Sequence, residues 1–227
     1  MHRVSSVLSL ITAALLVGLS GPAKAITAGQ ADSFQNGSVS GWISGPPHPL
    51  PPSVVTGGGP AGSADNYLLL QATGLQGPGG KLAAFNREQW TGNYTAAGVA
   101  AITMDLRNFG ATDLLLRLYV EGPNSSTGIS TVPIRLVAGS GWSAVSFAMT
   151  PDALSGLATS ALSGVTELRL FHAISPIFPG QNIATQLGVD NISAVPEPAA
   201  WALLASGLLL MGGLRNRKAA RASHLSC

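Results

Sequence analysis

Carboxylates, imidazoles and indoles are sparse in this chain, and their spacing decides what chemistry is open to it. Glycoside hydrolysis needs two positioned carboxylates, and nothing in the spacing of Glu88, Glu121 and Glu167 brings a pair together. Between residues 26 and 194 the histidines are His48 and His172, far apart and outside any H-E-x-x-H pattern. His172 continues an alternating apolar face and reads as a satisfied core or edge histidine. No G-x-S-x-G nucleophile elbow occurs, and the one cysteine is Cys227. No residue is therefore assigned a catalytic role.

Binding chemistry is better represented. Sugar recognition uses exposed rings beside planar polar side chains, and Trp90 and Tyr94 stand in the polar stretch Asn86-Arg87-Glu88-Gln89-Trp90-Thr91-Gly92-Asn93-Tyr94. That segment is the candidate ligand-contact region; the competing reading is a loop whose aromatics cover one end of the domain. Trp42 and Trp142 fit core positions. Gly57-Gly58-Gly59-Pro60-Ala61-Gly62 matches G-x-G-x-x-G, but a strand-like Tyr67-Leu68-Leu69-Leu70 follows where a phosphate site needs a helix N-terminus. It reads as a surface loop. The proline-rich stretch 46–52 reads as a stiff extended loop, with a partner-binding segment as the alternative.

The elements that must position these side chains are strands. From Asp113 to Glu121 the chain alternates, with Leu114, Leu116, Leu118 and Val120 on one face and Leu115, Arg117, Tyr119 and Glu121 on the other. Glu167 to Phe171 alternates too, with Glu167 and Arg169 outward. Residues 67–71, 100–106, 132–137, 142–149 and 187–192 complete the set, punctuated by Gly, Pro, Asn and Ser. Residues 151–164 hold the one helical signal, since Pro151 and Asp152 suit a helix start. Short strands without alternating helices predict an all-β, antiparallel sandwich.

Both ends of the chain carry processing patterns. His2 and Arg3 precede an apolar stretch, and Ala23-Lys24-Ala25 is an A-x-A site, so residues 1–25 read as a signal peptide cut by signal peptidase before Ile26. At the other end, Val195-Pro196-Glu197-Pro198 leads into sixteen uncharged residues, 199–214, and then Arg215, Arg217, Lys218 and Arg221. As a helix the apolar run would extend about 24 Å, close to the bilayer's hydrocarbon thickness, so it reads as a single C-terminal transmembrane helix with its basic end in the cytoplasm. Residues 222–227 form a short extension. Between the ends, residues 26–194 suit one domain. They keep six basic and nine acidic residues, although the whole chain is +2, so the high isoelectric point is no argument for nucleic-acid binding. They contain no cysteine and depend on their core alone.

Over residues 195–221 the tail resembles the PEP-CTERM sorting signal of Gram-negative bacteria that make extracellular polysaccharide. The resemblance implies an exosortase as partner, removal of the tail, and passage of the domain through the inner membrane to the cell surface or outside. Val195, Pro196, Glu197 and Pro198 are then substrate residues. The two prolines hold that segment extended and deny it helix formation.

The domain opens with Asp32-Ser33-Phe34-Gln35-Asn36-Gly37 and Gly41-Trp42, and it closes with Leu187-Gly188-Val189-Asp190-Asn191-Ile192. These edges resemble jelly-roll carbohydrate-binding modules and their galactose-binding-like relatives, and so imply a jelly-roll sandwich. In those relatives a glutamate near the start and the closing aspartate commonly hold a structural calcium. Gln35 stands where the glutamate often is. Asp32 and Asp190 become the candidate calcium ligands if the first and last strands pair; the alternative is that Asp190 and Asn191 cap a strand end. The combined expectation is an exported, non-enzymatic sandwich that binds or organises extracellular polysaccharide. The alternatives are a purely structural surface protein and a polysaccharide hydrolase whose site the sequence hides.

Overall fold

The computed structural model describes residues 25–197. Lys24 and everything before it, with Ala23, and the tail from Pro198 onward, with Arg215, Arg217, Lys218 and Arg221, lie outside the described residues. Twelve strands occur among the described residues: β1 (Ala31–Asp32), β2 (Ser53–Val55), β3 (Tyr67–Thr73), β4 (Ala83–Asn86), β5 (Val99–Asn108), β6 (Leu114–Glu121), β7 (Thr127–Ser130), β8 (Ile134–Leu136), β9 (Ser143–Ala148), β10 (Leu154–Gly156), β11 (Glu167–His172) and β12 (Ala184–Pro196). One short helix, α1 (Ala158–Leu162), precedes β11.

The strands form two six-stranded antiparallel sheets. The first runs β2-β3-β12-β5-β9, with β1 also paired to β12; the second runs β10-β7-β6-β11-β4, with β8 also paired to β6. The alternation in the sequence explains how they face each other. Leu114, Leu116, Leu118 and Val120 of β6 are fully buried, as is Leu168 of β11. Opposing them, Leu68 on β3, Ile102 and Leu106 on β5 and Leu187 on β12 are equally buried. Each such side chain removed from water contributes about 1.5–3 kcal/mol, and one continuous cluster of them joins the sheets. With no disulfide available, this cluster is what holds the sandwich closed.

The first and last strands do meet: Ala31 pairs with Ser193 and Asp32 with Ile192. The β12–β5 ladder then skips between Asp190 and Ser193, where Asn191 has φ 50°. This bulge inserts one residue, so Val189 and Ile192 both point into the core while Asp190 faces away from it. At its far end β12 passes the expected boundary at Ala194. Val195 pairs with Ala101 and Pro196 with Val99, and the Glu197 amide donates to the Gly98 carbonyl at 3.2 Å. The Pro-Glu-Pro segment therefore begins inside the sheet. At the other end Ala25 is exposed, whereas Ile26 is buried and its amide donates to the Thr91 carbonyl at 2.7 Å.

Three expectations need correction. Residues 151–164 do hold a short helix, Ala158–Leu162, but it does not start at Pro151 and Asp152, because Leu154 to Gly156 pair with β7. Gly156 makes the break, with φ 84° and the Thr127 carbonyl 2.6 Å from where a Cβ would stand. Residues 132–137 shrink to β8, with Val132 and Val137 exposed. Trp142 lies half-exposed on an outer face and is not in the core. One close approach supports a test of the packing. A Cβ on Gly122 would sit 2.6 Å from both Cα and O of Ala161, backbone atoms that cannot rotate away. Gly122→Ala is expected to cost about 1–3 kcal/mol, read from urea unfolding midpoints.

Candidate functional site

Trp90 and Tyr94 are not a ligand surface. Both are fully buried, at 0% exposure. The Trp90 indole N–H donates to Asp32 Oδ2 at 2.7 Å, and the Trp42 indole donates to the same oxygen at 3.0 Å. Gln89 Nε2 adds bonds of 3.3 and 3.1 Å to the two Asp32 oxygens. The Tyr94 hydroxyl donates to the Trp90 carbonyl at 3.0 Å, and burial pushes its pKa well above the ordinary phenol value. The polar stretch folds this way because burying the Trp90 ring gains more than its indole N–H loses, provided a buried acceptor exists. Asp32 is that acceptor.

Asp32 is accordingly removed from the calcium pair. It faces the core, whereas the bulge turns Asp190 to the outer side of the first sheet, opposite Asp105 of β5. Replacing Asp32 with asparagine presents a donor to donors at one end of the amide. It is expected to cost about 1–3 kcal/mol, measurable by denaturant unfolding monitored through tryptophan fluorescence.

Asp190 has the opposite problem. It is 0% exposed, and neither carboxylate oxygen has a hydrogen-bond partner of normal geometry. Burial raises its pKa to about 7 against a lowering by the Asn191 amide, and the nearby carboxylates of Asp65 and Asp105 add smaller upward contributions. Asp65 is brought up by the loop between β2 and β3. Its oxygens accept from Gln35 Nε2 at 2.6 Å and the Ala61 amide at 2.7 Å, and Gln35 Oε1 accepts from the Asn66 amide at 3.3 Å. Among the described residues no group of three or more His, Cys, Asp or Glu side chains forms a metal cluster. The oxygens here are the Asp190 and Asp65 carboxylates, the latter already bonded to Gln35 Nε2 and the Ala61 amide, so a calcium ion would have to displace those donors.

The second sheet presents the richest chemistry on its outer face, and strand register assembles it. One row crosses the whole sheet: Ile43, bridged to Phe85 of β4, then Arg169 of β11, Tyr119 of β6, Ile129 of β7 and Ser155 of β10. At about 4.8 Å per strand, its five strands span about 19 Å. The next row places Glu167 opposite Glu121 and Glu121 opposite Thr127. On the other side Phe171 stands opposite Arg117. Phe178, from the loop after β11, leans over this surface, its ring centroid 5.3 Å from that of Tyr119 and 5.7 Å from that of Phe171.

Arg169 ties these parts together. Its guanidinium lies 4.1 Å from the Phe178 centroid, 4.9 Å from Phe85 and 5.4 Å from Tyr119. It also donates to Glu167 Oε1, at 2.7 Å from Nε and again from a terminal nitrogen, while Arg87 Nε donates to Glu167 Oε2 at 2.7 Å. The Tyr119 hydroxyl donates to Glu121 at 3.4 Å; burial first, then the Glu121 charge, push its pKa up.

Register thus does what linear spacing did not, setting Glu121 and Glu167 side by side at the roughly 5 Å typical of cross-strand neighbours. Both Glu167 oxygens accept from guanidinium N–H groups. His172, also buried, accepts the Leu115 amide on Nδ1 at 3.0 Å, and burial lowers its pKa.

Sequence reasoning saw the outward faces of β6 and β11 separately but missed the site. The available signal was the coincidence of aromatic and charged residues at outward positions of both: Arg117, Tyr119 and Glu121, then Glu167, Arg169 and Phe171.

No protein-family model and no curated protein matches the chain. Solved structures are similar in fold. One is an exo-β-agarase, with TM-score 0.53 and 15% identity over 76% of this chain, which spans only 26% of the agarase's length. Another is a family 11 carbohydrate-binding module from Clostridium thermocellum in complex with a β-1,3-1,4-mixed-linked tetrasaccharide, with TM-score 0.50 and 14% identity over 75% of this chain and 96% of the module. A third is a family 28 module specific for non-crystalline cellulose, with TM-score 0.50 and 12% identity over 75% and 97%. At these identities the likeness concerns the fold, and the described domain is a jelly-roll β-sandwich of the kind seen in carbohydrate-binding modules.

Proposed function

We propose that this chain is an exported, non-catalytic protein that binds polysaccharide on the outer face of its second sheet. The row Phe85–Arg169–Tyr119, overlain by Phe178, carries this reading. Phe178, 36% exposed, offers the open ring of this row, with Phe85 and Tyr119 buried beneath it as support, while Glu121 and Arg87 can bond sugar hydroxyls. A row crossing five strands accommodates several sugars of an extended chain. The non-catalytic reading is supported by Glu167, whose oxygens are both occupied by arginine. The test is retention of the purified protein on agarose, amorphous cellulose and mixed-linked β-glucan. Retention on at least one, lost in variants of this face, is expected; retention on none overturns the proposal.

The same proposal includes export through signal peptidase cleavage before Ile26 and sorting by an exosortase at Val195, Pro196, Glu197 and Pro198, to the cell surface or beyond. The order of A-x-A site, Pro-Glu-Pro, apolar run and basic end supports it. Mass spectrometry of the mature protein's termini tests it, and an intact C-terminus in the cell-surface fraction would count against sorting. Calcium belongs to the proposal too, with Asp190 and Asp65 as its carboxylate ligands once Gln35 and the Ala61 amide release Asp65. When bound it would neutralise the buried Asp190 and tie the loop between β2 and β3 to the central strand of the first sheet.

A further inference from the structure

A second aromatic cluster lies on the opposite side of the molecule, on the outer face of the first sheet. Tyr67 stacks on Phe109 with centroids 5.8 Å apart and meets Trp142 edge-on at 5.2 Å; Phe109 and Trp142 meet at 6.4 Å and 88°. Their floor is Gly188 in the central strand. A Cβ there would lie 2.7 Å from Trp142 Cη2 and 2.9 Å from Phe109 Cε2, so the rings rest directly on backbone. The indole N–H of Trp142 donates to the Gly58 carbonyl at 3.0 Å, which fixes the ring's orientation and leaves it half-exposed.

Polar groups border the rings. The Arg107 guanidinium lies 4.5 Å from the Phe109 centroid and makes no ion pair or side-chain hydrogen bond among the described residues. Gln186, exposed, stands directly opposite Gln71, and the Phe109 amide bonds the Gln186 carbonyl at 3.0 Å. A fixed, half-exposed ring flanked by a cation and planar amides is what a pyranose requires. A protein partner needs about 800 Å² of contact on each side, far more than two partly exposed rings supply.

We infer that Trp142, Phe109, Arg107 and Gln186 form a second polysaccharide-binding site. The inference rests on the polysaccharide-binding reading above and extends it. Because the two sites lie on the outer faces of opposing sheets, one domain can hold two chains at once and so bridge them. Bridging is a matrix-building activity that a single site cannot provide.

The test uses the unmodified protein with the polysaccharide that retains it. Hydroxyl-radical footprinting read by mass spectrometry should show several-fold protection of Trp142 and Phe109, together with protection of Tyr119 and Phe178. Turbidity should rise when protein is mixed with soluble mixed-linked β-glucan, and Trp142→Ala should abolish the rise while retention persists. Protection confined to Tyr119 and Phe178, or bridging unchanged in Trp142→Ala, overturns the second site and leaves the first standing. Retention on no polysaccharide removes the reading beneath both.

Discussion

Replacing Tyr119 and Phe178 together with alanine should weaken polysaccharide binding at the outer face of the second sheet about a hundredfold. Phe178 is the exposed ring at the centre of the face and Tyr119 the buried ring that supports it, and central aromatic anchors typically cost about 2 kcal/mol when truncated, roughly thirtyfold each. The two touch one another, so their effects should combine to less than the product. Isothermal titration calorimetry in a Trp142→Ala background reads this face alone. A change below threefold, with an unaltered unfolding midpoint, would remove the site. Phe178 is the cleaner single variant because it is 36% exposed and leaves no interior cavity. Arg169 is a poorer choice. Its loss would leave the buried Glu167 with Arg87 as its remaining partner, and breaking a buried ion pair costs about 3–5 kcal/mol whether or not sugar binds.

What could be read from the sequence divides along a physical line. Alternation is local, so the buried faces of β6 and β11 and the sandwich class were legible from period two. The meeting of first and last strands was legible from the resemblance at the two edges. Register between distant strands is not local. Nothing in the residues around Glu167 says that it will stand opposite Glu121, and nothing around Phe178 says that its loop will fold back over Tyr119. Trp90 shows the same limit in reverse. Its neighbours are polar, and it goes inside because Asp32, distant in sequence, supplies the acceptor its N–H needs. The calcium expectation failed at one ligand for a related reason. A single inserted residue at Asn191 turned Asp190 away from Asp32 and toward Asp65, and a bulge of that kind leaves no periodic trace.

Calcium at millimolar concentration should raise the thermal midpoint by about 5–10 °C at pH 8. A ligand present at a hundred times its Kd adds about 2.7 kcal/mol, and a domain of this size gains about 2–4 °C per kcal/mol. The pH dependence identifies Asp190 as the source. Burial holds its folded pKa up at about 7, well above the ordinary aspartate range, so without calcium the folded state keeps a proton that the unfolded chain has lost. That contribution is fully present below about pH 4 and disappears as pH rises through 7, with a slope of at most about 1.4 kcal/mol per pH unit. With calcium the sign reverses, because the cation binds the ionised carboxylates and must displace that proton. The curves with calcium and with chelator should therefore converge near pH 5 and separate widely by pH 8. Asp190→Asn cannot ionise, so it should lose both the calcium response and this part of the pH slope, and in chelator at pH 8 it should be more stable than the parent protein. Superimposable curves for the parent with calcium and with chelator at pH 8 would remove calcium from this site and leave Asp190 as a buried carboxyl and nothing more.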